Sequence, residues 1–504
     1  MASTPDYRSP NWTDLAARWR KADLVLGGTY PMRAAGEELL IKFPAEADEV
    51  YQERLASATS DGDYRDTLDG LVGMVFNKPV QLGTNVPAQL KSYLENVDLA
   101  GAHLDVFNQR TFRKGLHLGA SYVVVDVQRK PAQLEGARID QATAEALNLR
   151  PYWILYGADQ VQNAPRYVVI RGERVLQQIV FRACVTEPDG DFGETEVVYY
   201  KVWRLPVVAL PGGQSEEIGF VEWELWEEQI EDEVGPDGNQ KKTISMIDNG
   251  STTLTRIPVS PFIANPDFDD PFLCDGPTLE DQIELCIKDY NKQSDFEKAV
   301  HYCQAIPYTV GLKENDGVID IAWGPGKMFD CEVGGKMDYA EPSGNAFPTW
   351  EKYLEKLKEK IRQKGLEMVL EGGAVNTTAT EQVLRARKRA SRLATLSEAM
   401  KDCIERSLQF SAQWMGLGDD AGGEITMGMS ADELTLTSQD LTALNAMVTA
   451  GNISRLTFLE NLERAGMLRV PPTEEAARLS EQAKQAREQM PAPQGQLKGQ
   501  VVGQ

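Results

Sequence analysis

Histidine is nearly absent from this chain: three residues in 504, His103, His117 and His301, widely separated and each beside apolar neighbours. Such spacing gives no shared ligand set and no imidazole poised beside a nucleophile, so histidine-centred catalysis is not expected and a structural role is. Cysteine is equally sparse. Cys184, Cys274, Cys286, Cys303, Cys331 and Cys403 show no CxxC spacing, which argues against a zinc site or a disulfide frame and leaves them as small core residues. No window approaches 18 uninterrupted apolar residues, so no membrane-spanning helix is expected. The start, Met1 to Asp6, has no apolar segment of the signal-peptide kind, and the expectation is a chain that is cytosolic when made.

Phosphate-loop motifs are missing too. Gly324-Pro325-Gly326-Lys327 and Gly334-Gly335-Lys336 are each followed by Met, where a nucleotide-binding loop needs a hydroxyl for magnesium. They read as tight turns. Asn265-Pro266-Asp267-Phe268-Asp269-Asp270 clusters carboxylates but lacks the Gly and distal Glu of a calcium loop, so an acidic turn is the expectation. Net basicity is absent as well: the formal charge is −24, against a wrap-around nucleic-acid binder.

What is present is a large chain with room for two or more folded regions. The fold class expected is α+β. Residues 1–150 read as mainly helical, with amphipathic runs at Trp12 to Lys21, Ala45 to Ala58, Tyr64 to Phe76 and Val86 to Phe107, closing on a strand from Ser121 to Val127. Residues 151–263 read as β-rich: strands are expected at Tyr152 to Tyr156, Tyr167 to Arg171, Val175 to Arg182, Glu196 to Leu205, Gly219 to Trp226 and Thr253 to Ile257. The acidic tract Glu227 to Gly238 reads as a solvated turn.

The most informative stretch follows. Gly276-Pro277-Thr278 is a helix start, with Glu280 and Asp281 in the first turn where the macrodipole favours negative charge. Leu279, Ile283, Ile287, Tyr290 and Val300 carry an apolar stripe to about Cys303, and Pro307 ends it. A second helix opens after Pro348-Thr349 with Trp350, Tyr353, Leu354, Leu357 and Ile361 on one narrow face, so it should pack beside neighbours and leave another face wet. Its Lys352, Lys356, Lys358, Lys360, Arg362 and Lys364 can pair with Glu351, Glu355 and Glu359 at helical spacing or meet a polyanion. Between the helices, Tyr308 to Asn345 reads as short strands and turns, including Val318 to Trp323 and Met328 to Val333. After the break Glu371-Gly372-Gly373-Ala374-Val375-Asn376-Thr377-Thr378, a third helix runs from Ala379 to Met415, with Arg385, Arg387, Lys388, Arg389 and Arg392 in its first half. A loop beside a basic helix is a plausible polyanion contact.

These residues resemble the portal proteins of tailed bacteriophages, and within them the group known only as a phage domain of unknown function. The resemblance is carried by Gly27-Gly28-Thr29-Tyr30-Pro31-Met32-Arg33, Tyr51-Gln52-Glu53-Arg54-Leu55, Leu71 to Pro79, Gly119 to Asp126, Gly276-Pro277-Thr278-Leu279 and Ala450-Gly451-Asn452-Ile453-Ser454-Arg455. No one of these is specific; their order along about nine-tenths of the chain is what carries it.

The resemblance implies a wing over 1–263, a first stem helix with its lead-in over 264–303, a clip over 304–345 and a second stem helix over 346–370. It further implies a tunnel loop over 371–378, a long wing helix over 379–430, a crown over 431–470 and a mobile tail over 471–504. It implies a homo-oligomeric ring of twelve at one capsid vertex of the virion, assembled in the host cytoplasm. Double-stranded DNA passes through such a ring without sequence readout. Terminase, tail or adaptor proteins, and the major capsid and scaffolding proteins are the partners implied, with no membrane, no cofactor, no metal and no catalysis.

The tunnel loop would present Gly372, Gly373, Asn376, Thr377 and Thr378; the DNA-facing bases would be Lys356, Lys360, Lys364, Arg385 and Lys388; the clip's partner surface would hold Trp323, Lys327 and Lys336. An acidic channel wall would keep DNA from sticking, although acidity also simply keeps a chain soluble. Two other classes stay open: a nucleic-acid-processing enzyme with a metal held by Asp267, Asp269, Asp270 and a distant Glu, and a head-completion adaptor.

Overall fold

The computed structural model describes residues 4–8, 10–128, 143, 147–170, 172–209, 216–234, 240–267, 270, 272–302, 306–312, 331–340, 347–366, 379–418, 420–427, 445, 447–449, 454–464, 468 and 470–488. In chain order the elements begin α1 (Pro10–Gly27), α2 (Thr29–Ala34), α3 (Asp48–Ser57), α4 (Asp63–Val75), β1 (Gln81–Leu82), α5 (Ala88–Lys91), α6 (Leu104–Leu118), β2 (Ala120–Val127) and β3 (Pro151–Gly157). A run of strands follows: β4 (Arg166–Ile170), β5 (Glu173–Asp189), β6 (Gly193–Arg204), β7 (Val207–Ala209), β8 (Glu216–Ile218), β9 (Glu222–Val234), β10 (Gln240–Ser251) and β11 (Val259–Ile263). The remainder is α7 (Glu280–Tyr302), β12 (Ile306–Leu312), β13 (Cys331–Ala340), α8 (Phe347–Leu366), α9 (Ala379–Trp414), β14 (Ile425–Thr426), α10 (Arg455–Arg464) and α11 (Pro472–Glu488). The α+β class holds.

A three-stranded sheet, β11-β2-β3, lies at the centre, and its strands alternate between two cores. Val123, Val125, Trp153 and Phe262 join the helical core with Leu68, Leu71, Phe112, Ile283, Met400 and Leu408. Tyr122, Val124 and Tyr156 join a second core with Phe181, Trp203, Trp12 and Trp19. A strand buried on both faces reads as a continuous apolar run, which is why Ser121 to Val125 was recognisable. The second half of α9 lies on this sheet. Trp153 donates its indole N–H to Ser411 at 2.9 Å, and Trp414 donates to the Val125 carbonyl at 3.0 Å.

The larger sheet has the antiparallel order β10-β9-β6-β5-β4. It corrects three expectations. The tract from Glu227 is no turn: Glu227–Val234 is the second half of β9, with Glu227 to Ile230 paired to Ser245 to Lys242 of β10 and, after a register shift, Val234 opposite Gln240. Cross-strand chemistry makes the acidic run tolerable there. Buried Glu228 receives bonds from Lys242 at 2.5 Å and from the Tyr200 hydroxyl at 2.6 Å. Thr253 to Ile257 forms no strand; the pairing segments on either side of it are β10 and β11. Cys184 is exposed rather than a core residue, since it sits where β5 runs out beyond the second core, whereas Cys274 and Cys403 are buried.

The run Val86 to Phe107 is likewise broken. Only α5 and the start of α6 are helical, and between them Leu99 adopts φ 61°. Asp98 accepts bonds from the Ala100 and Ala102 amides, and the Val97 carbonyl accepts from the Trp153 amide at 2.8 Å. A short polar side chain bonding local amides competes with helix, so the turn wins over the apolar spacing.

Candidate functional site

The helical hairpin α7–β12–β13–α8 and the return helix α9 are built on the N-terminal helices. Salt bridges and hydrogen bonds tie α7 down along its length. Lys21 reaches Glu284 at 2.8 Å, and Lys298 reaches Glu53 at 3.1 Å. The Asn291 amide donates to the Leu39 carbonyl at 2.6 Å and accepts from the Ile41 amide at 3.0 Å. Arg54, 1% exposed, reaches Glu46 at 2.8 Å and Asp295 of α7 at 3.4 Å. That bonding holds the Glu46 carboxyl below the usual carboxylate range. Since a buried base missing its partners is expensive, the junction of α3 and α7 is a fixed point.

Helix α8 returns antiparallel to α7. At one end Phe296 stacks on Trp350 with ring centroids 6.5 Å apart and meets Phe347 edge-on at 5.9 Å. At the other end Lys364 pairs with Asp281 at 3.1 Å. Close approach there depends on Gly365: a Cβ at this position would lie 2.4 Å from the Gln282 amide nitrogen and 2.5 Å from the Thr67 hydroxyl. Those two groups are themselves bonded at 2.8 Å, so three helices meet at one glycine.

The bases of α8 divide into two sets. Lys358 pairs with Asp61 at 2.6 Å, Arg362 with Asp63 at 3.7 Å, and Lys364 with Asp281. Their partners come from α4, the loop before it and α7, not from Glu351, Glu355 and Glu359 as helical spacing suggested. Lys352, Lys356 and Lys360 are exposed and form no ion pair among the described residues. Spaced four apart, they make one row about 12 Å long. Glu351, Glu355 and Glu359, also exposed, form an adjoining row on the same helix.

A feature with no signature in the sequence lies along α7. Buried atoms of Gln282, Asp289, Tyr290, Gln293 and Ser294, all on α7, have no hydrogen-bond partner among the described residues. Asp289 is the sharpest case. Burial pushes its carboxyl up to about 6, Lys358 opposes the shift, and Asp61 and Asp63 add to it.

Other expected residues are placed as follows. Arg385 and Lys388 lie on the backbone of α9, and Lys336 lies on β13 opposite Val310. Gly372, Gly373, Asn376, Thr377, Thr378, Trp323 and Lys327 lie outside the described residues, as do Val318 to Trp323 and most of 431–453. Asp269 does too. Asp270 is engaged by its own protein: it accepts from the Tyr167 hydroxyl at 2.9 Å and pairs with Arg174 at 3.3 Å. Among the described residues no group of three or more His, Cys, Asp or Glu is arranged to hold a metal ion, and no helix is long and apolar enough to cross a membrane.

The histidines serve structure. Buried His117 bridges the Tyr64 hydroxyl at 2.9 Å and Asp23 at 2.8 Å, and the ring of His103 caps α6 by accepting from the Asp105 amide. His301 lies exposed at the end of α7.

Compared with known proteins, residues 278–415 match the model of a domain family of unknown function, DUF4055. No curated protein matches. Among solved structures, the chain is similar to a chain of the virion of a native gene transfer agent particle, at 10% identity and a TM-score of 0.36, covering 85% of this chain and 94% of that one. It is also similar to a chain from the neck of an empty gene transfer agent particle, at 11% identity and a TM-score of 0.38, covering 88% and 99%. Values this low describe a partial backbone likeness and carry no functional argument.

Proposed function

We propose that this chain is a portal protein: a structural subunit, not an enzyme, that closes into a ring at one vertex of a phage-type capsid. Double-stranded DNA crosses the ring during packaging and ejection, and terminase and then tail or adaptor proteins dock on it. The observation that carries the reading is the succession of α7, β12, β13, α8 and α9. Two antiparallel helices of 23 and 20 residues project a β hairpin, and a 36-residue helix returns from them onto the central sheet. The family match covers that same stretch, residues 278–415. The outer face of α8 is strongly charged, exposing Lys352, Lys356, Lys360, Glu351, Glu355, Glu359 and Arg362 beside Tyr353.

In this reading the hairpin pair is the stem, β12–β13 belongs to the clip, and the row Lys352, Lys356, Lys360 is the basic surface available to phosphate. Contacts of that kind hold a polyanion without reading its sequence. Head-to-tail repetition of one interface, when it closes, gives the ring.

The test is mass by light scattering on a sizing column, with negative-stain images of the same peak. Rings of about a dozen subunits with a central hole are expected. A compact monomer at every concentration, stabilised by a divalent metal, overturns the reading in favour of a metal-dependent enzyme.

A further inference from the structure

Helix α8 carries its uncompensated charge in two separate rows. Lys358, Arg362 and Lys364 are neutralised within the chain by Asp61, Asp63 and Asp281. What remains exposed is Glu351, Glu355 and Glu359 in one row and Lys352, Lys356 and Lys360 in the other, and none of these is ion-paired among the described residues. Glu359 accepts from the Gln363 amide of its own helix at 3.2 Å. Spacing would let Lys352 reach Glu355 and Lys356 reach Glu359, yet neither pair forms. Within each row like charges stand four residues apart, an arrangement that costs an isolated helix stability.

The two rows are placed to meet a second copy of the same helix. Successive residues lie about 100° apart around a helix axis, so the rows occupy the two flanks of the face that points away from buried Leu357 and Ile361. One flank is acidic and the other basic. Cyclic symmetry holds equivalent residues of every copy at one height along the ring axis. For a helix running along that axis, the acidic row of one copy and the basic row of the next differ in height by one residue, about 1.5 Å. A lysine side chain spans that offset, and the charges come into register without any shift between copies.

We propose that the Glu351–Glu355–Glu359 row of one α8 faces the Lys352–Lys356–Lys360 row of the next copy's α8. The contact joins different flanks of one surface, so it is heterologous and repeats until the ring closes. The proposal rests on the ring reading above and names the contact between its stems. Exposed ion pairs contribute little energy each; here they select which flank meets which and at what height, as flanking charges do in coiled coils. An ammonium has three donors, so a lysine facing a neighbour's carboxylate keeps donors for phosphate, and its DNA role is measured separately.

The test uses the full chain, freed of nucleic acid, in four forms. These are the parent; Glu351→Lys, Glu355→Lys and Glu359→Lys together; Lys352→Glu, Lys356→Glu and Lys360→Glu together; and all these exchanges in one chain. Light scattering at low salt with negative-stain images reads assembly, and thermal melting by circular dichroism checks folding. With the parent forming rings, each triple variant alone should need at least tenfold higher concentration to assemble, because like charges then face each other. A one-to-one mixture of the two triples should form rings in which they alternate. The full exchange, which keeps the parent's net charge, should form rings by itself. Rings of undiminished stability from either triple overturn the pairing and leave the ring reading intact. Folded triples that fail alone and are restored neither by mixing nor by the full exchange overturn it as well. Should a triple not fold, the parent decides: the concentration it needs to assemble should rise with salt, and one that does not move overturns the pairing. A parent that never assembles overturns both the pairing and the ring.

Discussion

At the scale of single residues, Asp289 has the clearest consequence. Its carboxyl titrates near 6 in the fold because it is buried, against an ordinary value of 3.8. The unfolded chain therefore gives up this proton more readily than the folded one does. Below about pH 4 the group is neutral in both states and costs nothing; as pH rises from there through about 6, ionisation increasingly favours unfolding. Asp289→Asn removes that charge. The variant should be more stable than the parent at pH 7 by about 1–3 kcal/mol, with the advantage gone below about pH 4. Denaturant melts at pH 3.5 and 7 check it, and an advantage that is equal at both would mean the carboxyl does not titrate as described. Nothing in the sequence marked Asp289. A carboxylate in a helical stripe looks the same whether the neighbouring helix covers it or not, and here α8 and α4 do the covering. The same blindness applied to Lys358, Arg362 and Lys364. Spacing along the chain offered Glu351, Glu355 and Glu359, whereas the fold brings Asp61, Asp63 and Asp281 nearer.

At the scale of elements, long periodic helices were legible and cross-strand partnerships were not. The helix expected from Thr278 to Cys303 is found at Glu280–Tyr302, and that from Ala379 to Met415 at Ala379–Trp414. Their apolar stripes are local signals that the chain carries by itself. The strand Glu227–Val234 failed to register because its charge is offset by residues on β6 and β10, Tyr200 and Lys242, distant in sequence. Likewise the break after α5 depends on Asp98 finding two amides, which outweighs hydrophobic spacing. The packing of elements adds one prediction. Where α4, α7 and α8 cross at Gly365, there is no space for a side chain. Gly365→Val should cost about 1–3 kcal/mol through overpacking, read as a lowered urea midpoint with an unchanged slope. A variant as stable as the parent would show that the three helices part without penalty.

At the scale of the whole molecule, a chain of net charge −24 must still offer DNA some positive surface if it forms a channel. The exposed row on α8 is a place where it can. Replacing Lys356 and Lys360 together with Gln should leave the melting temperature unchanged, since neither lysine has an ion-pair partner among the described residues. Affinity for duplex DNA should fall, and the slope of log affinity against log salt should flatten by about one to two for each subunit in contact. Unaltered affinity and slope would move the DNA contact off this helix. Acidity elsewhere would then act to keep transported DNA from lodging.

Helix α9 has one further implication. Its 36 residues make a rod about 54 Å long, clamped along its second half by Ser411, Trp414 and the buried run from Leu393 to Leu408. Movement transmitted along this rod reaches the grip and is delivered onto Trp153 and Val125 of the central sheet. Because that sheet is wedged between two close-packed cores, it has little room to absorb the movement and must hand it on to the strands of the larger sheet across the second core.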